Sequence, residues 1–222
     1  MKTVRAGAAL AAAVALALSA CATNESGTAT SAEGSAASSL SGTLQGTGAS
    51  SAKAAQEVWR ANFQTANPQV TVNYSPDGSG AGRTAFADGG AAFAGSDRAL
   101  KDDAMTGPFA SCAADTLPLN LPIYVSPIAI VFNVDGVSDL HLTADVIAKI
   151  FRGEITNWND PAIAELNSGV TLPDLAITPV HRSDNSGTTE NFTATLAQVA
   201  PSVWTDAASG DWPASLAGEA AQ

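Results

Sequence analysis

The sequence predicts an α/β fold. Three observations carry the prediction: short β-branched runs alternate with stretches of helical spacing, glycine- and serine-rich loops sit where one passes into the next, and no internal repeat interrupts the alternation. In chain order, residues 52–66 place Ala55, Val58, Trp59 and Phe63 at helical spacing, which predicts a first helix with an apolar face. Asn67-Pro68 then opens a short strand over 70–74. Residues 82–87 follow a glycine-rich loop as a helical turn, and 91–94 read as a small-residue strand. Leu121 to Asn133 is almost unbroken in apolar and β-branched residues and predicts two buried strands or one bent strand. Residues 142–151 put Val146, Ile147, Ile150 and Phe151 on one helical face, with Thr143 as N-cap and Gly153 just past the end. Residues 177–181 read as a strand, and 188–199 as a helix.

The N-terminus carries a different kind of signal. Lys2 and Arg5 precede an apolar stretch from Ala6 to Leu18, too short for a spanning helix, and Leu18-Ser19-Ala20-Cys21 follows. Residues 1–20 therefore read as an export signal, and the four residues ending in Cys21 resemble a bacterial lipoprotein box, which implies lipidation of that cysteine and a membrane-surface location on the extracytoplasmic side. Residues 21–39 contain no aliphatic side chain larger than alanine beyond the cysteine and read as a flexible tether, with the globular body starting near Leu40. With Cys21 lipidated, Cys112 is either a buried free thiol or half of a disulfide.

The net charge of −11 becomes more negative once Lys2 and Arg5 leave with the signal, which disfavours a nucleic-acid partner. One segment nevertheless reads as an anion cradle. Arg182-Ser183-Asp184-Asn185-Ser186-Gly187-Thr188-Thr189 supplies a guanidinium that can give a planar bidentate fork. Ser186, Gly187 and Thr188 can add backbone N–H groups at a helix N-terminus, where the dipole favours negative charge. Loops 46–51, 77–82 and 95–97 share its glycine and hydroxyl character at strand-to-helix junctions, the edge at which open α/β sheets take ligands. His141 and His181 have no metal-ligand spacing, Trp158 reads as packing, Asp102-Asp103 reads as a solvated turn, and no cofactor or metal is expected.

Taken together, GTGASS (46–51), GSGAG (78–82), FAGSD (93–97), IFRGEITNWND (150–160) and HRSDNSGTTENF (181–192) resemble the phosphate-binding protein of the bacterial phosphate ABC importer. The resemblance runs from Leu40 to the end and stops where that family's chains continue, which implies a C-terminally truncated member. It further implies a type II periplasmic-binding-protein-like architecture of two lobes around a ligand cleft, with 40–117 in the first lobe and 118–222 in an incomplete second. Inorganic phosphate is the implied ligand, and a membrane permease with its ATPase subunits the implied partners. Position by position, Ser50 and Ser51 fall where a hydroxyl and a backbone N–H meet phosphate; position 51 is often aromatic in the family, so only its backbone role transfers. Ser79 falls on a hydroxyl donor, Asp97 on the carboxylate facing the anion, Arg182 on the guanidinium clamp with Asp184 orienting it, and Ser186, Gly187 and Thr188 on the helix-terminal donors. A carboxylate beside an anion repels it unless the ligand brings a proton, so Asp97 would admit phosphate and reject sulfate. The alternative is a phosphate-ester hydrolase with Ser79 or Asp97 as nucleophile, against which stand the missing Gly-x-Ser-x-Gly elbow and the missing local base.

Overall fold

A three-stranded parallel sheet carries the first of the glycine-rich loops. The computed structural model of the chain describes residues 40–113, 116–216 and 218–221, all of which fall in one compact unit. The export signal, Cys21 and the tether lie outside the described residues. Strand β1 (Gly42–Gly48) lies at the centre, with β2 (Val70–Ser75) on one side and β3 (Phe93–Gly95) on the other. Gly42 pairs with Val70 and Thr47 with Ser75, while Gly46 pairs with Phe93 and Gly48 with Gly95. Helix α1 (Lys53–Ala66) links β1 to β2, and α2 (Ser79–Ala87) links β2 to β3. The chain thus crosses from one flank of β1 to the other, and the loops at the C-terminal ends of the strands converge at that crossing. Close packing of α2 on β1 needs glycine: a Cβ on Gly82 would lie 2.5 Å from the Gly48 Cα.

The remaining elements build two apolar clusters about α3 (Ala144–Phe151). Thr143 caps it as its spacing predicts, accepting from the Val146 N–H at 3.3 Å, and Gly153 ends it at φ +74°. One cluster gathers Val146, Ile150, Ile155 and Ile163, the last from α4 (Pro161–Ala164), with Trp158 packed against it. The other gathers Ala148, Leu196, Ala200 and Trp204, joining α3 to α5 (Gly187–Val199). Strands β4 (Val180–Arg182) and β5 (Glu219–Ala221) form a second, two-stranded parallel sheet. No helix among the described residues is long and apolar enough to cross a membrane.

Two readings of the sequence need correction, and two strands went unread. Residues 121–133 form no strand and are exposed throughout, with Val125 at 94% and Val131 at 85%, because no described strand lies alongside to take up their backbone hydrogen bonds. Helix α1 forms as predicted, yet its stripe faces outward: Val58, Trp59 and Phe63 are exposed, while Arg60 and Gln64 reach the backbone of Val72. The strand expected over 177–181 begins only at Val180, since Pro179 has no N–H to enter a ladder and the Ile177 N–H is already given to the Thr156 carbonyl. Strand β1 was hidden by its three glycines, which lower β-propensity, and β5 is too short for a periodic signal. Cys112 is a half-buried thiol with no disulfide among the described residues.

Candidate anion-binding site

The loops that follow β1, β2 and β3 are tied to one another before any side chain is considered. The Ala49 N–H donates to the Gly95 carbonyl at 2.9 Å, and the Gly78 N–H to the Gly48 carbonyl at 2.9 Å. Tyr74 reinforces the tie by donating its phenol to the Ala49 carbonyl at 2.8 Å. Burial, with smaller contributions from Tyr124, Asp97 and Asp77, pushes the Tyr74 pKa up to about 12. The loop between β4 and α5 then docks on this edge, with the Gly80 N–H donating to the Asn185 carbonyl at 3.0 Å.

Nine residues singled out in the sequence come together there. Arg182 donates from Nε and Nη2 to the two Asp184 oxygens at 2.8 and 2.7 Å, and from Nη1 to the Ser50 Oγ at 2.8 Å. The fork is therefore held in one plane while its third nitrogen crosses a sequence separation of 132 residues to the β1 loop. Asp97 receives the Ser51 hydroxyl on one oxygen and the Thr188 hydroxyl on the other, the latter at 3.0 Å. Its N–H donates to the Ser79 Oγ at 3.2 Å, and Ser79 is buried. Gly187 lies against both: a Cβ there would sit 2.7 Å from the Asp97 Cβ and 2.7 Å from the Ser79 Oγ.

The start of α5 supplies the polar donors. The N–H groups of Gly187 and Thr188 have no acceptor among the described residues, and this first turn of the helix lies against Asp97, which accepts from the Thr188 hydroxyl. Ser186 plays another part. Its N–H donates to the Gly210 carbonyl at 3.0 Å and its hydroxyl caps the helix by accepting from the Thr189 N–H at 3.4 Å, which leaves it only its hydroxyl hydrogen to offer. Ser51, to which only a backbone role was transferred, also brings its side chain to the site by donating its hydroxyl to Asp97. A cavity of about 760 Å³ opens beside these groups, lined by Ser51, Asp97, Arg98, Thr188 and Asn191 and walled by the extended segment that includes Leu121 and Tyr124.

Sequence reasoning missed a second set of polar residues around the same loops. Asn191 donates to the carbonyls of Asp97 and Gly187 at 3.0 and 2.9 Å, stitching the β3 loop to α5. Glu190 is paired with Arg98, with Lys101 at 3.3 Å and with Arg83 at 3.9 Å. These partners are some 90 residues apart along the chain, so no local spacing announces them.

A profile for the PBP superfamily domain matches residues 30–221. The chain belongs to the PBP superfamily. Among PBP-superfamily relatives, it is 40% identical over 211 residues to phosphate-binding protein PstS 3 of Mycobacterium tuberculosis, covering 92% of this chain and 56% of that protein. It is 37% identical over 214 residues to PstS 2 of the same species, covering 94% and 58%. Against the phosphate-binding protein PstS of Pasteurella multocida the identity is 38% over 161 residues, covering 71% and 44%. The chain thus spans about half the length of the curated relatives it matches. In fold it is similar to a Clostridium perfringens substrate-binding protein of a phosphate ABC transporter, solved with bound phosphate, at a TM-score of 0.50 and 20% identity over 70% of this chain and 56% of that one.

Proposed function

We propose that this PBP-superfamily chain is an extracytoplasmic receptor that captures inorganic phosphate and delivers it to the permease and ATPase subunits of an ABC importer. The observation that carries the reading is that one site gathers the Arg182 guanidinium, held to Ser50, and the Asp97 carboxylate, which receives the hydroxyls of Ser51 and of Thr188 at the start of α5. Cations and helix dipoles favour a tetrahedral oxyanion, and their placement lets a chain of net charge −11 bind one against its overall field. Asp97 adds selectivity. Near neutral pH phosphate still carries a proton that the carboxylate can accept, whereas sulfate carries none and meets uncompensated repulsion.

In this reading β1–β3 with α1 and α2 belong to one lobe (40–117) and the elements from α3 onward to a second (118–222), with the anion held between their loops. The lipoprotein-box resemblance at Cys21 supports an acyl anchor and residues 21–39 a tether, which would let the body range near the membrane while remaining attached. Calorimetric titration with inorganic phosphate, run beside incubation with p-nitrophenyl phosphate, tests the proposal. One phosphate bound per chain with no nitrophenol released is the expected result. Ester turnover, abolished in Ser79→Ala, would overturn it in favour of a hydrolase.

A further inference from the structure

Glu190 is the only charged residue among the described ones that is buried, and it lies one helical turn past the Gly187 and Thr188 donors. A buried carboxylate is tolerated when cations compensate it, and this one has three: Arg98 on Oε2, Lys101 on Oε1 at 3.3 Å, and Arg83 on Oε2 at 3.9 Å. The partners are not scattered. Arg98 is the neighbour of Asp97, so its pairing with Glu190 fixes the backbone beside the discriminating carboxylate against α5. Arg83, from α2, donates from Nη1 to the Ser96 Oγ at 2.9 Å and from Nη2 to the Asn185 Oδ1 at 3.3 Å, which joins the β3 loop to the Arg182 loop. Burial and the adjacent Arg98 lower the Arg83 pKa, with Glu190 and Asp97 opposing that shift, as befits cations crowded about one carboxylate.

Resting on the phosphate reading, we propose that Glu190 is a positioning residue of the anion site, which through Arg98 and Arg83 holds the Asp97 loop against the N-terminus of α5. Charge counting and positioning then predict opposite outcomes for one substitution. Glu190→Gln keeps the shape of the side chain but leaves the site one unit more positive, so a purely electrostatic role would tighten anion binding. Positioning predicts weaker binding, because the Arg98 tether is lost and the Asp97 carboxylate no longer sits fixed between Ser51 and Thr188.

Phosphate and sulfate titrations of the wild type, Glu190→Gln, Arg98→Ala and the double variant, with amide hydrogen exchange over residues 95–99 without ligand, provide the test. Each single variant is expected to bind phosphate about tenfold more weakly, the size of loss seen when the support of a ligating side chain is removed. Each should also show a reduced phosphate-to-sulfate preference and faster exchange at the Asp97 amide, and the double variant should be no worse than the singles. Unchanged or tighter phosphate binding in Glu190→Gln, with unchanged exchange at 95–99, would overturn the inference. Failure of the wild type to bind phosphate would instead overturn the receptor reading, and the exchange data would still decide whether Glu190 holds the loop.

Discussion

The anion cradle and the apolar periphery were both prominent in the sequence, yet only the cradle is satisfied in the structure. Around Arg182 and Asp97 almost every polar side chain has a partner, although the segments come from four separate loops. Along 117–132 and the outer stripe of α1 the apolar side chains have few neighbours, and the Trp59–Tyr124 edge contact at 5.7 Å is one of the few aromatic contacts there. The difference lies in reach. A glycine-rich loop with a helix N-terminus carries most of its own geometry and needs only a few cross-chain hydrogen bonds to close. An apolar strand is defined by a neighbour that takes its backbone groups and a layer that covers its side chains, and neither can be supplied locally.

Four substitutions press on that contrast. The largest effect is expected from Arg182→Ala, which removes the Asp184 fork and the hydrogen bond to Ser50 together. Losing a charge-assisted partner of this kind should cost about 3 kcal/mol of phosphate binding, more than a hundredfold in Kd by titration. Next is Gly187→Ala, whose new Cβ would press on Asp97 and Ser79; thermal unfolding should report a destabilisation of about 1–3 kcal/mol, with weakened phosphate binding alongside. Tyr74→Phe removes the hydrogen bond to the Ala49 carbonyl and should cost about 1 kcal/mol. Its pH signature has a definite sign. The folded pKa of about 12 lies above the ordinary 10.0, so this contribution is complete below pH 10 and is lost as pH rises toward 12. The wild type should lose stability across that window by a component that Tyr74→Phe lacks. The smallest effect belongs to the periphery: Val125→Ser, at an almost fully exposed site, should shift stability by less than about 0.5 kcal/mol. A loss of several kcal/mol there would mean that 117–132 is covered in solution and would erase the contrast.

How far the fold was legible follows the same division. Helix α3 could be read nearly to the residue, because Thr143 and Gly153 are local start and stop signals. Helix α5 began one residue before its predicted start, at Gly187, with Ser186 as its cap. The glycines of β1 concealed the central strand, and the β-branched run at 121–133 promised strands for which the described residues hold no partner. At the site, motif residues were recognisable because hydroxyls, glycines and one arginine cluster at strand ends. Glu190, Arg98 and Asn191 were not, since their roles come from contacts between segments that lie far apart in sequence. The side-chain contact of Ser51 with Asp97 escaped notice for the same reason.

The central claim is that the Asp97 carboxylate sits in an anion site and selects for a protonated ligand. Competition titration of phosphate against sulfate, on the wild type and on Asp97→Asn, tests it most directly. The account predicts a strong preference for phosphate in the wild type that shrinks sharply in Asp97→Asn through a gain in sulfate binding. An identical preference in both proteins would contradict it.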